Sequence, residues 1–301
     1  MLPITRLTLT IHQQDDLRLP EHAGSMLRGA FGMALKKLAC ITRQKDCTTC
    51  PLYRSCAYTQ IFETPAPVSD NPLTRQTANP YVIQVPEMGS RLIEAGETWQ
   101  FGFNLVGKAI DQLPLIVYAW QRAWEGGFSK AQSRAKLISI HQGEHLAYQP
   151  DSTLNIVNEQ VAARSYGNTT VLRFTSPLRL QHEGQIVLVR EELTASLLLM
   201  SLVRRVQKLL DLHTHNQPKL DFIHLKKQAE LIELDTSTLQ RMDITRYSNR
   251  QQQFIELDGL MGDIVLHGNV SDFSELLTLG EHIHVGKTAT HGLGQYIINP
   301  A

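Results

Sequence analysis

The chain has 301 residues, 42% of them hydrophobic and 19% charged, a balance that excludes a disordered, collagenous or coiled-coil protein and leaves length for two domains with a core each. Lys plus Arg and Asp plus Glu number 29 each, so the net charge does not advertise a polyanionic partner, and any such partner must be met by a local basic face. No stretch approaches the roughly 18 uninterrupted apolar residues of a membrane span and residues 1–6 carry no export signal, which predicts a cytoplasmic protein without a membrane partner.

Residues 7–11, Leu-Thr-Leu-Thr-Ile, alternate at period two and predict a strand. A helix follows, because Leu27, Ala30, Phe31, Ala34, Leu35 and Leu38 recur at helical spacing, with Gly29 and Gly32 leaving room for a close approach to a sheet. Gly29-Ala30-Phe31-Gly32 has the form of the KH-domain GXXG, but that motif belongs in a loop and this one lies inside an amphipathic helix, so it is set aside.

All four cysteines, Cys40, Cys47, Cys50 and Cys56, share one window with the spacing C-x6-C-x2-C-x5-C. In a reducing compartment such clustering predicts a tetrahedral structural zinc rather than two disulfides or an iron–sulfur cluster. The bland alternative is four thiols packed as small apolar groups. Four thiolates would fill the zinc shell and leave no open position, so no catalytic metal is expected there.

A Pro-, Asn- and Thr-rich connector spans 64–80. Strands are then predicted at 81–85 and 98–107, a helix at 113–125 ended by Gly126-Gly127, and a strand near 136–140. Strand, helix, strand, strand, helix, strand is the grammar of a ferredoxin-like domain, placed over 1–148 with the cysteine knuckle 40–56 inserted. Residues 149–166 lack periodicity and read as a linker. Over 167–301 the grammar repeats: a strand at 171–174, a helix over 191–212 with Leu193, Leu197, Met200, Val203, Val206 and Leu210 on one face, a hairpin of 254–260 with 262–268, a helix near 273–279 and a closing strand at 295–298. The predicted fold class is α+β, two tandem ferredoxin-like (RRM-like) βαββαβ domains.

Short basic runs at Lys36-Lys37, 122–136, Arg204-Arg205 with Lys208, Lys226-Lys227 and 241–250 are candidates for a basic face, although each taken alone reads first as a solvated helix face. Gly286-Lys287-Thr288 ends like a P-loop, but five residues rather than four separate Gly280 from Gly286, and no strand leads in. What remains is a glycine-spaced segment over 279–296 carrying Lys287, His282, His284 and His291. Glycines let backbone amides approach a phosphate and the lysine supplies charge; a tight turn packing the last strand accounts for some of the same glycines. The alternate histidines His282/His284 and His213/His215 lack a carboxylate partner and do not make a metal site.

Together, Gly24-Ser25-Met26-Leu27-Arg28-Gly29-Ala30-Phe31-Gly32, the knuckle from Cys47 to Tyr58, Arg246-Tyr247-Ser248-Asn249-Arg250-Gln251, and His284-Val285-Gly286-Lys287 running to Gly292-Leu293-Gly294-Gln295-Tyr296 resemble the CRISPR-associated RAMP superfamily. Within it, the likeness is to the endoribonucleases that process CRISPR precursor transcripts. The resemblance implies two ferredoxin-like folds and cleavage of repeat RNA without a catalytic metal, giving 2′,3′-cyclic phosphate and 5′-hydroxyl ends. It implies CRISPR repeat RNA or crRNA as partner, together with other CRISPR effector subunits. It also implies His22, where the first strand hands over to the first helix, as general base, with His284 and His291 as further acid or loop-ordering candidates. Lys287 and Arg28 would hold the scissile phosphate, and Arg246 and Arg250 the RNA backbone, around Gly286, Gly292 and Gly294. The loop departs from its relatives in carrying His291 where an aromatic residue is common. The competing reading is a non-catalytic RAMP subunit that grips guide RNA in an effector complex.

Overall fold

The computed structural model describes residues 2–68, 77–85, 88–128, 131–157, 159, 161–162, 164–216, 218–248 and 252–299. The chain divides into two compact units, Met1–Glu159 with Lys208–Gln217, and Gln160–Gln207 with Pro218–Ala301.

The first unit runs β1 (Ile4–Gln13), β2 (Leu17–Leu19), α1 (Gly24–Ala39), α2 (Ala57–Phe62), β3 (Tyr81–Gln84), β4 (Arg91–Ile93), β5 (Thr98–Val106), α3 (Leu113–Glu125), β6 (Ala135–Gln142) and β7 (His145–Tyr148). Its main sheet has the order β3-β5-β1-β6-β7. β1 is central because Leu7, Leu9 and Ile11 are all buried, and it pairs antiparallel with β5 (Leu9 opposite Phe101) and β6 (Leu9 opposite Ile140). With α1 after β1 and α3 after β5, this is the ferredoxin-like arrangement. An aromatic core joins helices to sheet: Phe31 of α1 lies 5.0 Å from Phe103 of β5 and 5.0 Å from Trp120 of α3, and Trp124 stacks on Phe128 at 4.0 Å.

The sequence predicted that the glycines of α1 approach the sheet, and they do not. Nothing lies within 4 Å of a Cβ placed on Gly29, whereas one on Gly32 would overlap the ring of Phe62. The close approach is therefore between α1 and α2, a short helix that periodicity alone does not announce.

The second unit contains β8 (Thr169–Leu178), β9 (Gln181–His182), β10 (Gln185–Ile186), α4 (Ala195–His213) up to Gln207, α5 (Phe222–Ala229), β11 (Glu233–Asp235), β12 (Gln240–Met242), β13 (Thr245–Ser248), β14 (Gln253–Glu256), β15 (Gly259–His267), α6 (Ser274–Ile283) and β16 (Tyr296–Asn299). The sheet order β11-β15-β8-β16, with β12 also on β15, repeats the ferredoxin-like pattern. The α+β class and the two ferredoxin-like folds are as the sequence predicted.

Two local expectations fail. The anticipated hairpin of 254–260 with 262–268 is absent: 259–267 form one strand, and β14 pairs instead with β13. Gly262, which punctuates the sequence like a turn, sits at the register shift between Leu260 and Gly262 with φ 135, and a Cβ there would lie 2.7 Å from the Thr238 carbonyl oxygen. It marks a bulge: the two steps of β15 from Leu260 to Gly262 face four of β8, from Leu178 to Phe174, without reversing the chain. Helix α4 begins at Ala195 rather than Glu191, because the Thr194 hydroxyl accepts the Leu197 amide at 3.1 Å and so caps the first turn.

Candidate functional site

The glycine-spaced segment forms a loop from the end of α6 to the start of β16. It holds positive φ at His284, Gly286, Thr288, Gly292 and Gly294. The end of β8 fixes it: the Lys287 amide donates to the Arg179 carbonyl at 2.8 Å, the Gly294 amide to Pro177 at 2.9 Å, and the Ser176 hydroxyl to Gly292 at 2.7 Å. A Cβ on Gly286 would lie 2.5 Å from the Arg179 carbonyl oxygen, and one on Gly294 would overlap that of Val285. These glycines are thus required by close backbone approach. The amides of Val285, Lys287, His291, Gly292 and Gly294 already donate within the protein, so the exposed Lys287 side chain is the loop's cation toward solvent.

The histidines of the loop differ. His284 is fully buried, with Nδ1 3.2 Å from the Leu293 carbonyl oxygen, which ties the two ends of the loop together. His291 is half-buried, its Nδ1 3.4 Å from the Thr290 hydroxyl. Arg179 is half-buried; its Nη1 donates to the Asp258 carbonyl, and loss of water is the main influence lowering its pKa.

In the first unit, His22 stands just before Ala23, the residue that caps α1, and is 5% exposed. Arg28, one turn along α1, places its guanidinium 4.1 Å from the centre of the Phe62 ring, a cation–π contact. Of the two other predicted RNA contacts, Arg246 lies half-buried on β13, and Arg250 falls outside the described residues.

The four cysteines are free thiols lining one pocket with Ile41, Leu52 and Tyr58. Cys40 closes α1 and Cys56 opens α2. Cys50 Sγ sits 3.3 Å from the Thr42 hydroxyl and Cys56 Sγ 4.0 Å from the Ala39 carbonyl oxygen, while burial pushes the Cys47 thiol up. Among the described residues no three His, Cys, Asp or Glu side chains are grouped to hold a metal ion, so the expected zinc finds no support in this arrangement.

Residues 2–165 match a family of N-terminal domains, AF_1859_N, and residues 172–296, which contain the loop, match the CRISPR-associated endoribonuclease Cas6. Residues 172–296 carry a Cas6 endoribonuclease domain. Among curated proteins no match is found. Solved Cas6 structures share its fold: a Thermus thermophilus Cas6 in a product complex has a TM-score of 0.60 at 14% identity, covering 99% of each chain. A Cas6-related protein of Pyrococcus furiosus reaches 0.51 at 11% identity, covering 98% of each. A partial Cas6-RT-Cas1–Cas2 complex gives 0.60 at 15% identity, with all of this chain matched to 46% of that one.

The structure gathers Gly286, Lys287, His291, Gly292 and Gly294 on one loop with His284 buried beneath it, and sets His22 just before α1 and Arg28 in its second turn. Sequence reasoning missed Ser176 and Arg179, which hold the loop from β8; neither lies in a motif. Among the described residues no helix is long and apolar enough to cross a membrane.

Proposed function

We propose that the chain binds CRISPR repeat RNA and cuts it by attack of a 2′-hydroxyl on the adjacent phosphate. The 2′-oxygen–phosphorus bond forms as the bond to the 5′-oxygen breaks, leaving a 2′,3′-cyclic phosphate and a 5′-hydroxyl. A base takes the 2′ proton, an acid returns one to the leaving oxygen, and a cation offsets the added phosphorane charge, so no metal is needed for the balance. The single observation carrying this reading is the rigid glycine loop of the Cas6-matching segment, which presents Lys287 to solvent.

His22 is assigned as base, His291 as the acid and Lys287 as the phosphate-holding cation; His284, being buried, orders the loop. Arg28 and Arg246 bind backbone phosphates. The RNA partner agrees with solved relatives described as product complexes, and CRISPR proteins as further partners with the Cas6-RT-Cas1–Cas2 assembly; the cytoplasm is the compartment proposed with this reading.

The burial of His22 at 5% exposure favours a second reading, a subunit that grips guide RNA without cutting it, because an enclosed imidazole must be uncovered before it meets a 2′-hydroxyl. One experiment separates the two: repeat RNA with and without a 2′-deoxy substitution at the cut site, given to the unaltered protein and to His22→Ala. The cutting reading expects deoxy RNA to bind uncut and His22→Ala to lose about 100-fold or more in rate, the range for removing a general base. Wild-type cleavage by the variant removes His22 from the mechanism; uncut repeat RNA throughout leaves the gripping subunit.

A further inference from the structure

The first unit carries an open cleft that no step of the proposed reaction uses. It encloses about 310 Å³, within the range of roughly 300–1,000 Å³ common to small-molecule sites. One wall is β5. Strand β3 pairs with it only as far as Gln84 opposite Gly102. At Trp99 and Gln100, therefore, the edge of β5 away from β1 has no strand beside it among the described residues, and both residues line the cleft. The other wall is the β2–β4 ribbon, in which Leu19 pairs with Arg91, together with the turn at Gly89 and Ser90. These walls are fixed from within: the Gly89 amide donates to the Glu21 carbonyl oxygen at 3.0 Å, and the Ser90 hydroxyl to that of Leu19 at 3.2 Å.

The lining is apolar with two polar side chains set in it. Leu19, Pro20 and Ile93 supply apolar surface, on which a flat ring sheds water at no cost in hydrogen bonds. Arg91, with its side chain 59% exposed, donates through Nη2 to Glu97 at 2.9 Å. That bond anchors the guanidinium and leaves its other N–H groups for a ligand. Gln100 donates through Nε2 to the Thr10 hydroxyl at 3.0 Å, which leaves Oε1 to accept. Glu97 holds Arg91, and Glu21 and Glu94 adjoin the lining segments in the chain, so the surroundings are acidic and disfavour a phosphate. A neutral ring suits them. The commonest match of an arginine fork to a base is O6 and N7 of guanine, whose N2 amine is a donor.

We propose that this cleft receives an unpaired guanine of the repeat RNA, with Arg91 reading O6 and N7 and Gln100 accepting from the N2 amine. This rests on the RNA-binding reading above and makes both residues determinants of sequence specificity. Pro20 and Ala23, which line the cleft, stand on either side of Glu21 and His22, so a base held there lies near the nucleotide on which His22 would act.

The test measures binding of a labelled CRISPR repeat RNA to the full chain, to Arg91→Gln and to Ser90→Trp, which sets a bulky ring at the exposed rim of the cleft. Each guanosine of the RNA is replaced in turn by an abasic nucleotide and by adenosine, and thermal unfolding is followed alongside. For the unaltered chain, either replacement at one unpaired guanosine is expected to weaken binding roughly tenfold. For both variants the same replacements should cost less than about twofold, because side chain and base act as a coupled pair. Penalties equal in all three proteins at every guanosine would overturn the proposal. Should Ser90→Trp fail to fold, Arg91→Gln decides alone, since it breaks only an exposed ion pair. No binding of the repeat RNA by the unaltered chain would refute the RNA-binding reading and this proposal with it, whereas binding with equal penalties sinks the guanine cleft alone.

Discussion

Replacing Gly286 by alanine tests whether the loop is held rigid by the end of β8. Two effects add. At φ 88 an L side chain is strained by about 1–2 kcal/mol. Its Cβ would also lie 2.5 Å from the Arg179 carbonyl oxygen, so the backbones must part and the 2.8 Å bond from the Lys287 amide weakens, a loss of about 1 kcal/mol. The sum, about 2–3 kcal/mol, corresponds to a melting temperature lower by roughly 4–12 °C for a unit of this size. Gly29→Ala is the control, since nothing lies within 4 Å of its Cβ on an exposed helical position; it should stabilise by about 0.5–1 kcal/mol. Differential scanning calorimetry reads both. If Gly286→Ala melts with the unaltered chain, the loop yields to a methyl group and the argument from close approach is wrong.

Trp120, 1% exposed and stacked 5.0 Å from Phe31, should cost about 3–5 kcal/mol of urea stability when changed to alanine, and a loss under about 1 kcal/mol would show that the aromatic cluster repacks. The third prediction concerns pH. Arg173 donates two 3.0 Å bonds to Asp263 across β8 and β15, and its guanidinium holds the Asp263 carboxyl below the usual range. A depressed folded pKa contributes stability above the ordinary carboxylate value near about 4 and loses it as pH falls through the lowered one. Asp263→Asn should therefore melt slightly lower at pH 7 and together with the unaltered chain at about pH 2; an equal gap at both would assign the effect to packing. The exposure of the pair keeps the difference small and salt-sensitive.

Much of the fold was legible where burial imposes a period. Leu7, Leu9 and Ile11 alternate because β1 is central, and the bounds of α3 coincide with the predicted 113–125 because Gly126 follows the last apolar turn. What eluded the sequence were positions whose meaning depends on a distant neighbour. Gly262 signals a turn until Thr238 is seen behind it, and Gly32 signals sheet contact until Phe62 fills the space. The glycine loop was visible from its spacing, but not that its amides already serve β8, which requires knowing where Ser176 and Arg179 lie.

The excursion between α1 and α2 starts and finishes almost at the same point, since Cys56 Sγ comes within 4.0 Å of the Ala39 carbonyl oxygen. A segment closed at its base adds little constraint to what lies beneath, and the entropy of closing it changes only slowly with length. Its length and chemistry are thereby free to vary among homologues, or under an engineer's hand, as a cassette on an unchanged scaffold.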